Sequence, residues 1–434
     1  MLAPDEALTR ILEVLDDLAP LPPVRVPLQA ALGRALAEDL AATRSLPPFD
    51  ASTVDGYAFR ASDAPAAGAR LPVAFEVFAG DAEVRALPPG ACARVFTGAP
   101  LPAGADCVEM QEEVKRRRDV AELARAGERG RFRRAAGSDV SAGEVALARG
   151  AVVDPGAVGL AAALGRAELL VHRRPRVAIL ATGDELVRLG EAPGPGGIID
   201  SNSHALAAAC VEAGAEPLLL PLARDTEASL ADALAAARGC DVLLTLGGVS
   251  VGERDLVRAA LESAGAQLDF WRVAIRPGKP MTFGRWGATA VFGLPGNPVS
   301  ALVTFEVFAR PALRALAGLS GTGRTAVEAR LAAAQQKVVG LTYFLRVRLR
   351  EEGAEVWAEP LPSQSSGDLS SGTGFDALAV LPPDVEALRR GARVKAIVLR
   401  AGAHPRDSMT QTQRRVANAS ARSPRVSPKR ASRR

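Results

Sequence analysis

The order of apolar and polar positions along the chain predicts segments of different structure. Residues 5–19 and 28–42 place Ala and Leu every three or four positions, the spacing of helices with one apolar face. From residue 45 to about 140 the apolar runs become short and are divided by Gly and Pro turns, which is typical of a β-rich module. Residues 141–172 return to Ala-rich sequence. We therefore predict a helical frame of residues 1–44 and 141–172, with a β-rich domain of residues 45–140 inserted into it.

The pattern changes again after residue 172. Short apolar runs alternate with Ala-rich and Leu-rich helical runs over residues 173–320, which predicts a parallel-type sheet covered by helices. Residues 321–402 alternate like strands, as in YFLRVRLR, and predict a small β barrel or sandwich. Residues 403–434 are rich in Arg, Ser and Pro, so we expect a disordered basic tail. The predicted fold class is α/β and multidomain.

Composition narrows the classes of function. The chain has 434 residues, of which 48% are hydrophobic and 24% charged, as in soluble globular proteins with several cores. The net charge of +4 arises largely after His404, so specific nucleic-acid binding is not expected. The four cysteines form no CxxC pair. No run reaches the roughly 18 apolar residues of a membrane span, and the N-terminal segment has no basic start. We expect a cytoplasmic protein.

Three loops follow strands of the predicted sheet, and open parallel sheets bind ligands at the carboxyl ends of their strands. In the second loop, Gly247 and Gly248 let backbone N–H groups approach a phosphate and Ser250 adds a hydroxyl, although a plain strand-to-helix turn also explains the glycines. In the third loop, Asn297 either belongs to a site or only caps the next helix. The loops are residues 182–185, 247–255 and 293–298.

Two further segments carry charged or hydroxyl groups. In RPGKP, Arg276 and Lys279 suit an anionic ligand, although a solvated turn is the alternative. In PFDASTVDGYA, two carboxylates including Asp55 accompany two hydroxyls, which is more than a turn needs. Thr97 and Asp139 lie in weaker motifs of the same kind. Acids that converge beside an anionic ligand would suit Mg²⁺, which takes one or two carboxylates together with waters and phosphates.

Taken in order, these motifs resemble the MoeA family of molybdopterin molybdenumtransferases, which includes the E domain of gephyrin. The resemblance spans residues 47–305. Val54 stands where Met is usual, and Arg272 and Arg276 stand where some relatives use Lys, but the local chemistry is kept. The motifs are PFDASTVDGYA, TGAPLPAGADCVEMQE, RRAAGSDV, ATGDEL, TLGGVSVGERD, RPGKP and GLPGNPVSALVTF.

The resemblance implies an elongated homodimer in which each chain has a helical frame, an inserted β domain, a MogA-like α/β/α domain and a C-terminal β barrel. It implies insertion of molybdate into adenylylated molybdopterin, with Mg²⁺ as cofactor and release of AMP, as the final step of molybdenum cofactor synthesis. The expected partners are the pterin and oxyanion substrates and, as a further candidate, molybdopterin adenylyltransferase.

The family's functional residues carry over onto matching positions of this sequence. Glu185 and Asp255 are the expected contacts of Mg²⁺ or of the hydrolytic water. Arg276 and Lys279 would hold molybdate or phosphate charge. The catalytic acids implied are Asp55, Asp139, Glu185, Asp225 and Asp255. The substrate-binding positions implied are Thr97, Gly247, Gly248, Ser250, Arg276, Lys279, Asn297, Arg346 and Ser366, the last two as groups that the partner subunit could contribute.

Two other functions stay open from the sequence. The preceding step, adenylylation of molybdopterin by ATP, uses a similar α/β domain, but the adenylyltransferases lack the PFDASTVDGYA module. A scaffold or binding protein is the second alternative, because the E domain of gephyrin also anchors receptors. The intact set of acids favours retained catalysis.

Overall fold

The structure is a computed structural model in which the chain forms two compact units. One unit is Pro23–Val171, and the other combines Met1–Pro22 with the chain from His172 onward. The predicted tail lies outside the described residues, and the predicted domain boundaries stay a prediction. The structure describes residues 1–81, 84–247, 256–321 and 323–399.

The unit Pro23–Val171 is built around a mixed sheet. Its second strand, Gly56–Phe59, is buried along its whole length and pairs antiparallel with both neighbours. A Cβ on Gly56 would collide with the backbone oxygen of Glu109, so glycine is required where the strands approach. In order across the sheet, the strands are Cys107–Met110, Gly56–Phe59, Cys92–Val95, Arg70–Val77, Val120–Leu123 and Val114–Arg117.

A second core in this unit contains the helix Pro155–Ala163. Asp154 caps this helix by accepting a hydrogen bond from the Ala157 N–H (2.7 Å), and proline occupies its first position. The helix predicted over residues 28–42 is much shorter, Leu28–Ala31, because Gly33 adopts a φ of +76° and the chain then becomes extended. The strands Pro23–Pro27 and Glu168–His172 pair beside this core.

The other unit contains the predicted α/β sheet. Its first four strands are parallel, and the inner ones, Val242–Leu246 and Thr289–Leu294, are buried at every residue because apolar clusters cover both faces. Pro280–Trp286 runs antiparallel to both of its neighbours, Thr289–Leu294, to which a tight turn at Gly287 joins it, and Gln267–Arg272. In order, the strands are Glu216–Leu219, Arg176–Ala181, Val242–Leu246, Thr289–Leu294, Pro280–Trp286 and Gln267–Arg272.

Helices cover this sheet much as the sequence predicts. The N-terminal helix Pro4–Leu15 buries Ala7, Ile11 and Leu15 in the larger apolar cluster. No helix in the described ranges is long and apolar enough to cross a membrane. The other helices of this unit are Asn202–Glu212, Glu227–Ala236, Leu256–Ser263, Pro298–Thr304 and Arg310–Leu316, with a π-helical turn at Phe305–Ala309.

The C-terminal part of the same unit forms a barrel. In the part of the chain that the structure describes, five strands close on themselves, and Ile275–Arg276 adds a short parallel strand beside Thr342–Glu352. The barrel strands, in order, are Thr342–Glu352, Glu355–Pro360, Ala326–Leu331, Arg393–Val398 and Ala377–Leu381. The remaining short elements of the chain are Leu40–Ala41, Ala51–Ser52, Arg133–Arg134, Val145–Leu147, Leu186–Val187, Ile198–Ile199, Gln335–Gln336 and Ala387–Leu388 as strands, and Ala61–Asp63, Gln111–Glu113 and Leu369–Gly372 as 3₁₀ turns.

Candidate functional site

A cavity of about 320 Å³ opens at the carboxyl ends of the parallel strands. Loops that follow Arg176–Ala181, Val242–Leu246 and Thr289–Leu294 meet there, which is where open α/β sheets bind ligands. The polar and glycine positions that line it are Thr182, Glu185, Asp200, Ser201, Asn202, Gly247, Gly296, Asn297 and Gly367.

The Glu185 carboxylate lies against Gly183. Gly183 has a φ of +151°, and a Cβ there would lie 2.6 Å from Oε2 of Glu185. The buried Thr182 donates its hydroxyl to Oδ1 of Asp225 (2.9 Å), on the loop that follows the neighbouring strand. The Asp225 N–H donates in turn to Oδ1 of Asp184 (3.4 Å). Adjacent loops are thus tied together while Glu185 and Asp225 remain exposed.

The loop carrying Asn297 is held from two sides. The side-chain amide of Asn202 donates to the backbone oxygen of Gly296 (2.7 Å). Asn297 precedes the helix Pro298–Thr304, but its side chain makes no capping bond and donates instead to Oγ of Ser366 (3.1 Å). Gly247 faces these groups with a φ of +82°. Ser366 of the same chain therefore lies beside the cavity.

Arg346 is a buried residue that binds the segment carrying Ser366. Only 1% of the residue is exposed. Its guanidinium donates to Oγ of Ser371 (2.6 Å) and to the backbone oxygens of Ser363 (3.1 Å) and Ser365 (3.2 Å). Burial lowers the pKa of Arg346, and the charge of Asp368 partly opposes this effect. The arginine fastens the segment that carries Ser366 and does not itself line the cavity.

The RPGKP loop and the end of the strand before it carry exposed cations. Arg272, Arg276 and Lys279 are exposed, and none of them forms an ion pair within the described ranges. Arg276 donates from Nη1 to the hydroxyl of Tyr343 (3.1 Å). A Cβ on Gly278 would collide with the side chain of Thr304, so glycine lets this loop pack against the helix.

The remaining candidate residues that the structure describes belong to the unit Pro23–Val171. Oδ1 of Asp55 accepts hydrogen bonds from the backbone N–H (2.8 Å) and the hydroxyl (2.7 Å) of Thr97. These two bonds, with a smaller effect of the Arg94 charge, hold the pKa of Asp55 below its ordinary value. Asp139 forms an ion pair with Arg134. Gly248, Ser250 and Asp255 lie outside the described residues.

Sequence reasoning missed Asp200, Ser201 and Asn202. They line the cavity because the short strands Leu186–Val187 and Ile198–Ile199 pair in parallel and bring the end of a long loop back to the sheet. Oδ1 of the buried Asp200 accepts from the Ser203 N–H (3.1 Å) at the helix start. The signal was the run DSNS before an apolar helical pattern, a typical helix beginning.

Comparison with protein families covers most of the chain. The model described as the MoeA N-terminal region (domains I and II) matches residues 2–165. A probable molybdopterin binding domain matches residues 178–315, and the MoeA C-terminal region (domain IV) matches residues 328–399. The chain belongs to the MoeA family of molybdopterin molybdenumtransferases. The predicted family resemblance is confirmed.

Individual MoeA relatives agree with this assignment. Molybdopterin molybdenumtransferase 2 of Mycobacterium tuberculosis is 39% identical over 384 residues, which cover 86% of this chain and 94% of the relative. The molybdopterin molybdenumtransferase of Bacillus subtilis is 34% identical over 384 residues, covering 86% and 89%. The crystal structure of the molybdopterin biosynthesis MoeA protein from Pyrococcus horikoshii OT3 superimposes with a TM-score of 0.79 at 31% identity, covering 92% of this chain and 100% of that chain. The predicted α/β multidomain fold class is thereby confirmed.

Proposed function

We propose that this molybdopterin molybdenumtransferase takes adenylylated molybdopterin and molybdate as substrates and releases AMP. The observation that carries the proposal is the convergence of Glu185, Gly247 and Asn297 on one cavity at the carboxyl ends of the parallel strands. A carboxylate, a glycine backbone and an amide are the groups that orient water and bind phosphate.

The reaction would be hydrolysis of the phosphoanhydride. A water oxygen bonds to phosphorus, the bridging P–O bond breaks, AMP leaves, and a carboxylate accepts the proton of the water. Glu185 is the candidate for that carboxylate because it is exposed at the cavity and tied to no cation in the described part of the chain. Gly247 can approach the phosphates closely because glycine has no Cβ.

The side chains at the cavity fit Mg²⁺ in chemical type. The oxygens of Glu185, Thr182 and Ser201 are the hard donors that this ion prefers. Within the described residues there is no cluster of three or more His, Cys, Asp and Glu that would hold a metal, but Mg²⁺ usually takes one or two carboxylates and leaves other positions to water and phosphate. Glu185 would hold the ion through one carboxylate oxygen and leave the other for the attacking water, and the ion, when bound, would neutralise phosphate charge. Asp255, the other expected contact, is outside the described residues.

Molybdate would bind to the RPGKP loop. Arg272, Arg276 and Lys279 place three cations without carboxylate partners on one short segment of the described chain. Guanidinium and ammonium groups bind oxyanions through charge-assisted hydrogen bonds. From the family resemblance we also propose that the protein is a homodimer and that it is cytoplasmic. Molybdopterin adenylyltransferase is its candidate protein partner.

The test is AMP release by purified protein supplied with adenylylated molybdopterin, molybdate and Mg²⁺, with each component omitted in turn. We expect molybdate-dependent AMP release, and we expect Glu185→Gln to reduce it by about 100-fold or more because the general base is lost. Glu191→Gln is the matched control, since Glu191 is exposed and does not line the cavity.

The possible failures of this assay are informative. Unchanged turnover in Glu185→Gln would remove that carboxylate from the reaction. ATP-dependent formation of adenylylated pterin, without molybdate-dependent AMP release, would assign the protein to the preceding step. Inactivity in both assays, with stoichiometric protein partners in a pull-down, would favour a scaffold.

A further inference from the structure

Tyr343 lies between two cations at the start of the barrel strand Thr342–Glu352. Only 7% of the residue is exposed. Its hydroxyl accepts hydrogen bonds from Nη1 of Arg276 and from the Val338 N–H, both at 3.1 Å. The Arg276 guanidinium lies 5.2 Å from the ring centroid and the Lys337 ammonium 5.4 Å from it. Both distances are within the range of cation–π attraction.

Lys337 and Arg276 differ in how many of their N–H groups remain available to a ligand. Lys337 is buried, and its ammonium donates to the backbone oxygens of Val385 (2.8 Å), Val338 (3.3 Å) and Pro383 (3.4 Å). Arg276 is exposed, and within the described residues its hydrogen-bond partner is the Tyr343 hydroxyl alone. Lys337 is therefore a structural cation, whereas most N–H groups of Arg276 remain available to a ligand.

The backbone reinforces this contact. Ile275–Arg276 pairs in parallel with the barrel strand, and Arg276 lies in register with Tyr343. Side chains in register on neighbouring strands are close enough to interact directly. The tyrosine thus reaches Arg276 because a barrel strand and the RPGKP segment share one sheet.

We propose that Tyr343 is a positioning residue for the oxyanion substrate: its hydroxyl and ring hold the Arg276 guanidinium in the orientation that binds molybdate. This inference rests on the proposed function, because it assumes that Arg276 contacts the oxyanion. A long arginine side chain that is already held loses less conformational freedom on binding, so the tyrosine raises the affinity of the site.

The kinetic test compares wild type with Tyr343→Phe, which keeps the ring and removes the hydroxyl. We expect the KM for molybdate to rise about 10-fold with little change in kcat, because a hydrogen bond to a charged group is lost. In an Arg276→Met background the same substitution should have a much smaller effect on the KM for molybdate, since methionine has no side-chain N–H to donate to the Tyr343 hydroxyl. Circular dichroism establishes that each variant is folded.

A spectroscopic test does not depend on turnover. The sequence has two tyrosines, Tyr57 and Tyr343, so Tyr343 is the sole phenol in a Tyr57→Phe background. Burial raises the pKa of Tyr343, but the hydrogen bonds from Val338 and Arg276 and the charges of Arg276 and Lys337 outweigh burial and place it below its ordinary value. An oxyanion on Arg276 offsets that cation, so saturating inorganic molybdate should move the phenolate titration, followed by ultraviolet absorbance, to higher pH.

The outcomes separate the two proposals. If wild type binds molybdate in calorimetry while Tyr343→Phe binds equally well, or if molybdate leaves the phenolate titration unchanged relative to chloride at equal ionic strength, the positioning role is wrong and the proposed function stands. If wild type neither binds molybdate nor releases AMP, both proposals are wrong.

Discussion

At the cavity, local contacts determine which side chains are available to a ligand. The missing Cβ of Gly183 leaves room for the Glu185 carboxylate. The Asn297 amide donates to Ser366 and does not cap its own helix. The Arg346 guanidinium donates three hydrogen bonds to residues of the segment 363–371, so its replacement would act on Ser366 through the backbone.

The Asp55–Thr97 pair gives a prediction about pH. Because Thr97 donates from its N–H and its hydroxyl, the pKa of Asp55 lies below the ordinary value, so the ionised form is stabilised. The resulting stabilisation is present above the pKa of the unfolded chain and is lost as pH falls through the folded pKa. Thr97→Val keeps the N–H and removes the hydroxyl, so we expect the pKa of Asp55 to rise towards its ordinary value without reaching it.

Carboxyl-carbon NMR across an acid titration measures this shift. Thr53→Val is the matched control, because the Thr53 hydroxyl donates to the backbone oxygen of Phe132 instead. An unchanged Asp55 titration in Thr97→Val would show that the hydroxyl contributes nothing.

The elements that the sequence predicted best are those with a clear period. The N-terminal helix and the alternating strands and helices after residue 172 formed where apolar spacing placed them. The alternation of strands and helices predicted the parallel strands, but the antiparallel pairing of Pro280–Trp286 with both of its neighbours was missed, since an apolar strand looks the same whichever way it runs. The loops at the cavity were predicted from sheet topology. The run DSNS indicates only that a helix begins there, and no local pattern encodes the parallel pairing that brings Asp200 and Asn202 back to the sheet.

The helix Pro4–Leu15 gives a prediction about stability. Ile11 is fully buried on its apolar face. We expect Ile11→Ala to lower the free energy of unfolding by about 2–5 kcal/mol, because removing buried aliphatic groups loses apolar contacts and leaves a cavity. Thr9→Ala, on the exposed side of the same helix, should change it by less than about 0.5 kcal/mol.

Urea titration followed by tryptophan fluorescence measures both variants. Trp271, Trp286 and Trp357, the three tryptophans of the chain, belong to the same unit as this helix. Equal urea unfolding midpoints for Ile11→Ala and Thr9→Ala would contradict the buried position of Ile11 in this helix.

At the scale of the whole molecule, the reactivity of the four cysteines measures the unfolding of both units. Cys92 and Cys107 are buried in the unit Pro23–Val171, and Cys210 and Cys240 are buried in the other. Burial raises the pKa of Cys92, Cys107 and Cys210 to about 12 and raises that of Cys240 as well. Because the thiolate is the reactive form, we expect all four to resist alkylation at neutral pH until their unit unfolds.

Mass spectrometry of alkylated peptides at increasing urea concentration measures this. Each pair should become reactive together at the unfolding midpoint of its own unit. Rapid labelling of any of the four in native buffer would contradict the buried placement.

The division of one unit across the chain has a consequence for synthesis on the ribosome. The helix Pro4–Leu15 packs against a core whose other buried members, apart from Leu21, begin only after His172, about 150 residues later. Translation of that interval takes about 8–30 s. A single short helix is marginal alone in water. We therefore expect the nascent chain to expose the apolar face of this helix until the sheet emerges, and trigger-factor-like chaperones to contact it during that interval, while Pro23–Val171 can already fold.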